Sequence, residues 1–174
     1  TYTLKPNKLA DGVWMIAGAQ EAITKGNGGA IANVSILDST AGAIVVDTRK
    51  TLPGLRAWQK QAVVYGGCGN HRFGLFDMVL IKNNHLEAAG GVREALARVK
   101  AAHPYYVKVE VEVESEADLR EAIAGGADVI MLDNQDVASL GKLVKVAREL
   151  KPDVVLEASG GVSLATVRAV AESG

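Results

Sequence analysis

Val107-Lys108-Val109-Glu110-Val111-Glu112-Val113-Glu114 alternates a β-branched apolar residue with a charged one throughout. That is the two-residue period of a strand whose faces meet different surroundings. The valines share one face, suited to packing against helices, and Lys108, Glu110, Glu112 and Glu114 share the other. Two settings satisfy this pattern. A solvated edge strand is one; a strand of a parallel barrel, with its charged face turned inward, is the other. Charges turned inward are costly unless they have partners or line a wet, functional interior.

The flanking sequence favours the parallel setting. Ser115 and Asp118 have capping-box spacing before a helix that ends at Gly125-Gly126. Val129–Leu132 then reads as a strand, Val137–Leu150 as a helix closed off by Pro152, and Val154–Glu157 as a strand leading through Ser159-Gly160-Gly161 into a helix near Ser163–Glu172. Upstream, Met78–Ile81 is a strand followed, after Lys82-Asn83-Asn84-His85, by a helix over Val92–Ala101. Ala43–Asp47 is a strand, and Thr51 and Pro53 open a helix that Gly66-Gly67 stops after Tyr65. Five βα units follow one another at a spacing of roughly two dozen residues, as a parallel α/β array requires. A closed barrel has about eight strands, so the expected architecture over residues 47–174 is an incomplete (β/α) barrel whose last strand has an open edge. Residues 1–46 read differently. Val13–Ile16, Ala30–Leu37 and Ala43–Val46 are short β-prone runs separated by Asn27-Gly28-Gly29 and Asp38-Ser39-Thr40, which predicts a β-hairpin-rich N-terminal segment.

Composition narrows the function classes. A net charge of -1 argues against a general nucleic-acid or anionic-membrane binder, either of which needs a field of one sign. No apolar run approaches the ~20 residues of a membrane-spanning helix, and 48% hydrophobic residues suit a globular protein. A cytoplasmic location is expected, since the cysteine usage fits a reducing compartment. Cys68 is the lone cysteine, so an intrachain disulfide and a cysteine-based zinc cluster are excluded. The chain opens Thr-Tyr-Thr-Leu-Lys, without signal-peptide shape or initiating Met, and is expected to be a processed product or a fragment.

Polar residues collect where the strands end: Thr48-Arg49-Lys50, Lys82-Asn83-Asn84-His85, Glu112, Asp133-Asn134 and Ser159-Gly160-Gly161. In parallel α/β folds that end is the ligand face. The cations Arg49, Lys50, His71, Arg72 and Lys82 set against carboxylates suit an anionic ligand, with a divalent metal on the carboxylate side. Ser159-Gly160-Gly161 ahead of a helix offers backbone N–H groups to a phosphate.

These segments, in order, carry a family resemblance. Thr48-Arg49-Lys50-Thr51-Leu52-Pro53-Gly54-Leu55-Arg56, the loop Gly66 to Leu75, Leu80-Ile81-Lys82-Asn83-Asn84-His85, Glu110-Val111-Glu112-Val113, Leu132-Asp133-Asn134 and Glu157-Ala158-Ser159-Gly160-Gly161 resemble successive signatures of quinolinate phosphoribosyltransferase. The resemblance covers roughly Asp47 to Gly174, and a relative serving molybdenum transport shares many of the same motifs. It implies phosphoribosyl transfer from phosphoribosyl pyrophosphate to quinolinate, with decarboxylation, to give nicotinate mononucleotide for NAD biosynthesis. Mg²⁺ is the implied cofactor, and a homodimer or higher homo-oligomer the implied assembly. By position, Arg49, His71, Arg72 and Lys82 would grip the quinolinate carboxylates, with Lys50 facing the substrates. Glu112 and Asp133 would meet the ribose hydroxyls and the Mg²⁺, and Ser159, Gly160 and Gly161 the 5′-phosphate. Lys50, Lys82, Glu112 and Asp133 are the implied catalytic residues.

The family's N-terminal sandwich domain and its last barrel strands have no counterpart in this sequence. Instead, Asp11-Gly12-Val13-Trp14, Asn27 to Asn33 and Ala41 to Thr48 resemble the opening strands of metallo-β-lactamase-fold hydrolases, a chimera-like junction at Asp47-Thr48. A zinc hydrolase is the weaker expectation, because His71, His85 and His103 do not form the His-x-His-x-Asp-His cluster it needs. A phosphate- or dicarboxylate-binding chain without turnover is the stronger alternative.

Overall fold

The computed structural model describes residues 7–10, 13–16, 34–37, 47, 51–65, 68–163 and 165–174. They fall in two units, Thr1–Phe73 and Gly74–Gly174. In the first unit, β1 (Asn7–Ala10), β2 (Val13–Ile16) and β3 (Val34–Leu37) form an antiparallel sheet in that order. β2 aligns Val13 with Leu37 and Ile16 with Val34. The hairpin character read from the sequence is therefore present, with β1 an additional strand. The turns at 27–29 and 38–40, the strand at Ala43–Val46 and the Gly66-Gly67 stop lie outside the described residues.

α1 (Arg56–Tyr65) starts later than Thr51 and Pro53 suggest. Gly54 has φ +77°, a left-handed conformation that cannot belong to a right-handed helix, so residues 53–55 form a turn. The Gln59 side chain accepts a bond from the Leu52 N–H at 3.0 Å and ties the approach to the helix.

The second unit holds a four-stranded parallel sheet: β4 (Val79–Ile81), β5 (Val109–Val113), β6 (Val129–Asp133) and β7 (Val155–Ser159), in that order. β5, the alternating strand, is interior, which removes the solvated-edge reading. Val109, Val111 and Val113 are essentially inaccessible and share a core with Ile81, Ile130 and Leu132. α3 (Val92–Ala102), α4 (Glu116–Ala124) and α5 (Val137–Leu150) close that core with Leu96, Leu119, Leu140 and Ala147. Each helix directs an apolar stripe at the valine face, as amphipathic periodicity dictates.

Local chemistry sets the helix ends. The Ser115 Oγ accepts from the Asp118 N–H at 3.1 Å, the expected cap of α4. At the other end Gly125 lies so close to α3 that a Cβ there would meet Leu96 Cδ1 at 2.5 Å. Asp136 caps α5, its carboxylate accepting from the Ser139 N–H at 2.8 Å and the Ser139 hydroxyl at 3.2 Å. The backbone bond from Ser139, then that from its side chain, holds the Asp136 carboxyl below its ordinary range. A depressed carboxyl stabilises the fold above its unfolded pKa, and that contribution disappears as pH falls through the lower folded value. Asp136→Ala should therefore lower the urea midpoint at neutral pH, and its gap to the wild type should narrow below about pH 4.

Two elements depart from the sequence reading. α2 (Asn83–Ala89) occupies the segment taken as a polar strand tip, and it closes with Gly90 at φ +97°. α6 (Val167–Glu172) begins later than Ser163, and the Thr166 Oγ1 just before it accepts from the Ser163 N–H at 2.9 Å. No helix among the described residues is long and apolar enough to cross a membrane.

Candidate functional site

Parallel pairing places side chains in rows. Glu110 aligns with Leu80 and Val129, Glu112 with Met131, Met131 with Glu157, and Asp133 with Ser159. Neighbours in a row point the same way, and residues two apart along a strand return to the same face. Glu110, Glu112, Asp133, Glu157 and Ser159 thus line the face opposite the valines, together with Leu80 and Met131. Glu110 is fully buried and Glu112 nearly so, at 0% and 9% exposure. Glu157 opens the Glu157-Ala158-Ser159-Gly160-Gly161 motif, and its period-two spacing from Ser159 along β7 is the signal that puts it on this face.

At the rim, Asp133 and Ser159 close the ladder between β6 and β7, one residue and two residues further than the sequence suggests. Gly160 and Gly161 follow with φ of +83° and +63°. The expectation that this tip abuts a helix N-terminus is corrected: α6 starts at Val167, so Gly160 and Gly161 offer a left-handed glycine turn and not a helix dipole. Consecutive glycines of this kind let a ligand approach the backbone closely.

Lys82 is the residue before α2 and is half-buried. Its carbonyl accepts from the His85 and Leu86 N–H groups, and its own N–H donates to His85 Nδ1 at 3.0 Å. Asn83, Asn84 and His85 thus form the first turn of α2, with Lys82 just before it at the β4 end.

His71 and Arg72 belong to the first unit. His71 is buried, and its N–H donates to Asp47 Oδ1 at 2.7 Å. Its carbonyl accepts from Lys60 Nζ at 2.8 Å, and Lys60 pairs in turn with Asp47 Oδ2 at 2.7 Å. The Arg72 N–H donates to His71 Nδ1 at 2.7 Å, so the ring holds the backbone of the next residue. Lys60 was not singled out in the sequence. A lysine in a helix whose other residues are mostly polar or exposed reads as surface, and nothing local marks it as buried. Arg49 and Lys50 lie outside the described residues.

Parallel strands with helices on one face and carboxylates on the other, ending in a Ser-Gly-Gly turn, define an α/β protein of the partial βα-barrel class. The model of the family "Quinolinate phosphoribosyl transferase, C-terminal domain" matches residues 30–174. The chain belongs to that family. It is 45% identical over 150 residues to the nicotinate-nucleotide pyrophosphorylase (carboxylating) of Mycobacterium leprae, covering 85% of this chain and 52% of that protein. The human protein of the same name is 40% identical over 120 residues, 69% of this chain and 40% of its own length. The solved nicotinate-nucleotide pyrophosphorylase of Francisella tularensis superposes with a TM-score of 0.71 at 43% identity, over 76% of this chain and 46% of that one. The chain thus spans about half the length of the curated relatives it matches. The family match also takes in residues 30–46, which the sequence reading gave to hydrolase-like strands.

Proposed function

We propose that this chain carries the phosphoribosyl-binding part of a decarboxylating quinolinate phosphoribosyltransferase. One observation carries the reading: Glu112 and Asp133 share the acidic sheet face, and the rim beside Asp133 ends in the Ser159-Gly160-Gly161 turn. Carboxylates placed this way suit the ribose hydroxyls and a hard divalent cation, and a left-handed glycine turn suits a phosphate. The names of the relatives point to the same chemistry. In the reaction the quinolinate nitrogen bonds to the ribosyl carbon as the bond to pyrophosphate breaks. CO₂ then leaves the adjacent ring carbon and a proton takes its place. Glu112 and Asp133 would stabilise the electron-poor ribosyl carbon. Mg²⁺, held by the same two oxygen-donor side chains together with the pyrophosphate, would supply charge neutralisation to the leaving group. By resemblance Arg49, His71, Arg72 and Lys82 take the quinolinate carboxylates, to which guanidinium forks are matched, and Lys50 faces the substrates.

The test is nicotinate mononucleotide formation from both substrates with Mg²⁺, beside calorimetric titration of each. Glu112→Gln is expected to lower turnover by about 10²-fold or more. Binding without product would favour the second reading, a ligand-binding chain lacking turnover, which the half-length coverage of the relatives supports. If neither substrate binds, both readings fall.

A further inference from the structure

We infer that Asn134 is a positioning residue that locks the Asp133 carboxylate to the Gly160 turn, so that the two meet phosphoribosyl pyrophosphate as one preset element. The inference rests on the reading of Asp133 and Gly160 just proposed.

Asn134 is the one non-glycine with a positive φ among the described residues, at 52°. Asparagine is among the few L-residues that enter this region readily, because its short polar side chain finds local hydrogen bonds there. Here its backbone N–H and both ends of its side-chain amide touch the β6–β7 rim. Its backbone N–H donates to the Ser159 carbonyl at 2.9 Å. Its Nδ2 donates to Asp133 Oδ2 at 2.6 Å. Its Oδ1 fills the space where a side chain at position 160 would begin, so a Cβ on Gly160 would collide with it and stand 2.9 Å from Asn134 Cγ and 3.0 Å from Asn134 N. Gly160 is thus needed twice, once for its φ and once to admit Asn134. Gln135 adds a brace, its Nε2 donating to the Asp133 carbonyl at 2.9 Å and the Glu114 carbonyl at 3.1 Å.

A residue that served only to make the turn would be replaceable by glycine. Asn134→Gly keeps the left-handed backbone and removes the amide alone, which makes it the discriminating variant. Titrating wild type and variant with phosphoribosyl pyrophosphate plus Mg²⁺, and separately with quinolinate, should show about tenfold or more weaker binding of the first ligand. Quinolinate binding and the thermal midpoint should stay as in the wild type. Unchanged affinity for phosphoribosyl pyrophosphate, or an equal loss for both ligands, would overturn the inference. If the wild type binds no phosphoribosyl pyrophosphate, the functional reading fails by itself. Backbone ¹⁵N order parameters then decide the link: lower values at Gly160 and Gly161 in Asn134→Gly sustain it, and unchanged values refute it.

Discussion

Lys60→Met should destabilise the first unit by about 3–5 kcal/mol, read as a fall in its denaturant midpoint. Lys60 and Asp47 are each about 95% withdrawn from water, with 5% and 6% side-chain exposure, and their charged atoms meet at 2.7 Å. Removing the ammonium leaves Asp47 buried with a single described donor, the His71 N–H. The large figure is the cost of the abandoned carboxylate and not the net worth of the pair. Adding Asp47→Leu to Lys60→Met should therefore recover part of the loss. A double variant no more stable than the single one would mean that the cost lies in packing around the Lys60 stem. Lys60→Met also removes the bond to the His71 carbonyl, and the double variant removes the one from the His71 N–H as well.

Leu119→Ala comes next, at about 2–5 kcal/mol for the second unit. Leu119 is at 0% exposure on α4, in the cluster with Leu96, Val113 and Leu140. Truncation loses the transfer energy of the missing methyl groups and opens a cavity among residues already closed on all sides. Arg120 provides the contrast one position along. Its exposed pair with Glu116 at 2.7 Å is an i,i+4 surface contact, so Arg120→Ala should cost about 0.3–0.5 kcal/mol. Urea titration of the two variants side by side checks the ranking; equal losses would show that α4 is not anchored through Leu119.

The contrast between these residues also explains what could be read in advance. The valines of β5 and the Ser115 cap are legible because their signals are periodic or local. The α5 boundaries, Val137 to Leu150, likewise follow from helical periodicity. The Glu112 position follows from the same alternation, and Asp133 from its place at the end of the apolar run Val129–Leu132. Lys60 was hidden because its partner is Asp47, thirteen residues earlier, and helical propensity is indifferent to that meeting. α2 was missed because a seven-residue helix starting with two asparagines mimics a loop. The late start of α6 goes with the bond from the Ser163 N–H to Thr166 Oγ1, a side-chain bond to the backbone that competes with a helix. Asn134 was visible as a residue, but its φ depends on Ser159 and Asp133 being brought beside it.

The strict alternation of β5 has a further consequence for how this chain can vary. Because its two faces differ in kind, deleting or inserting one residue within Val109–Val113 would exchange the acids and the valines between helix side and opposite side. Length changes are tolerable instead in the connection before it, where Tyr105 and Tyr106 stand 96% and 74% exposed. Homologues of this chain should accordingly keep an unbroken count along β5 and place their gaps at the preceding turn.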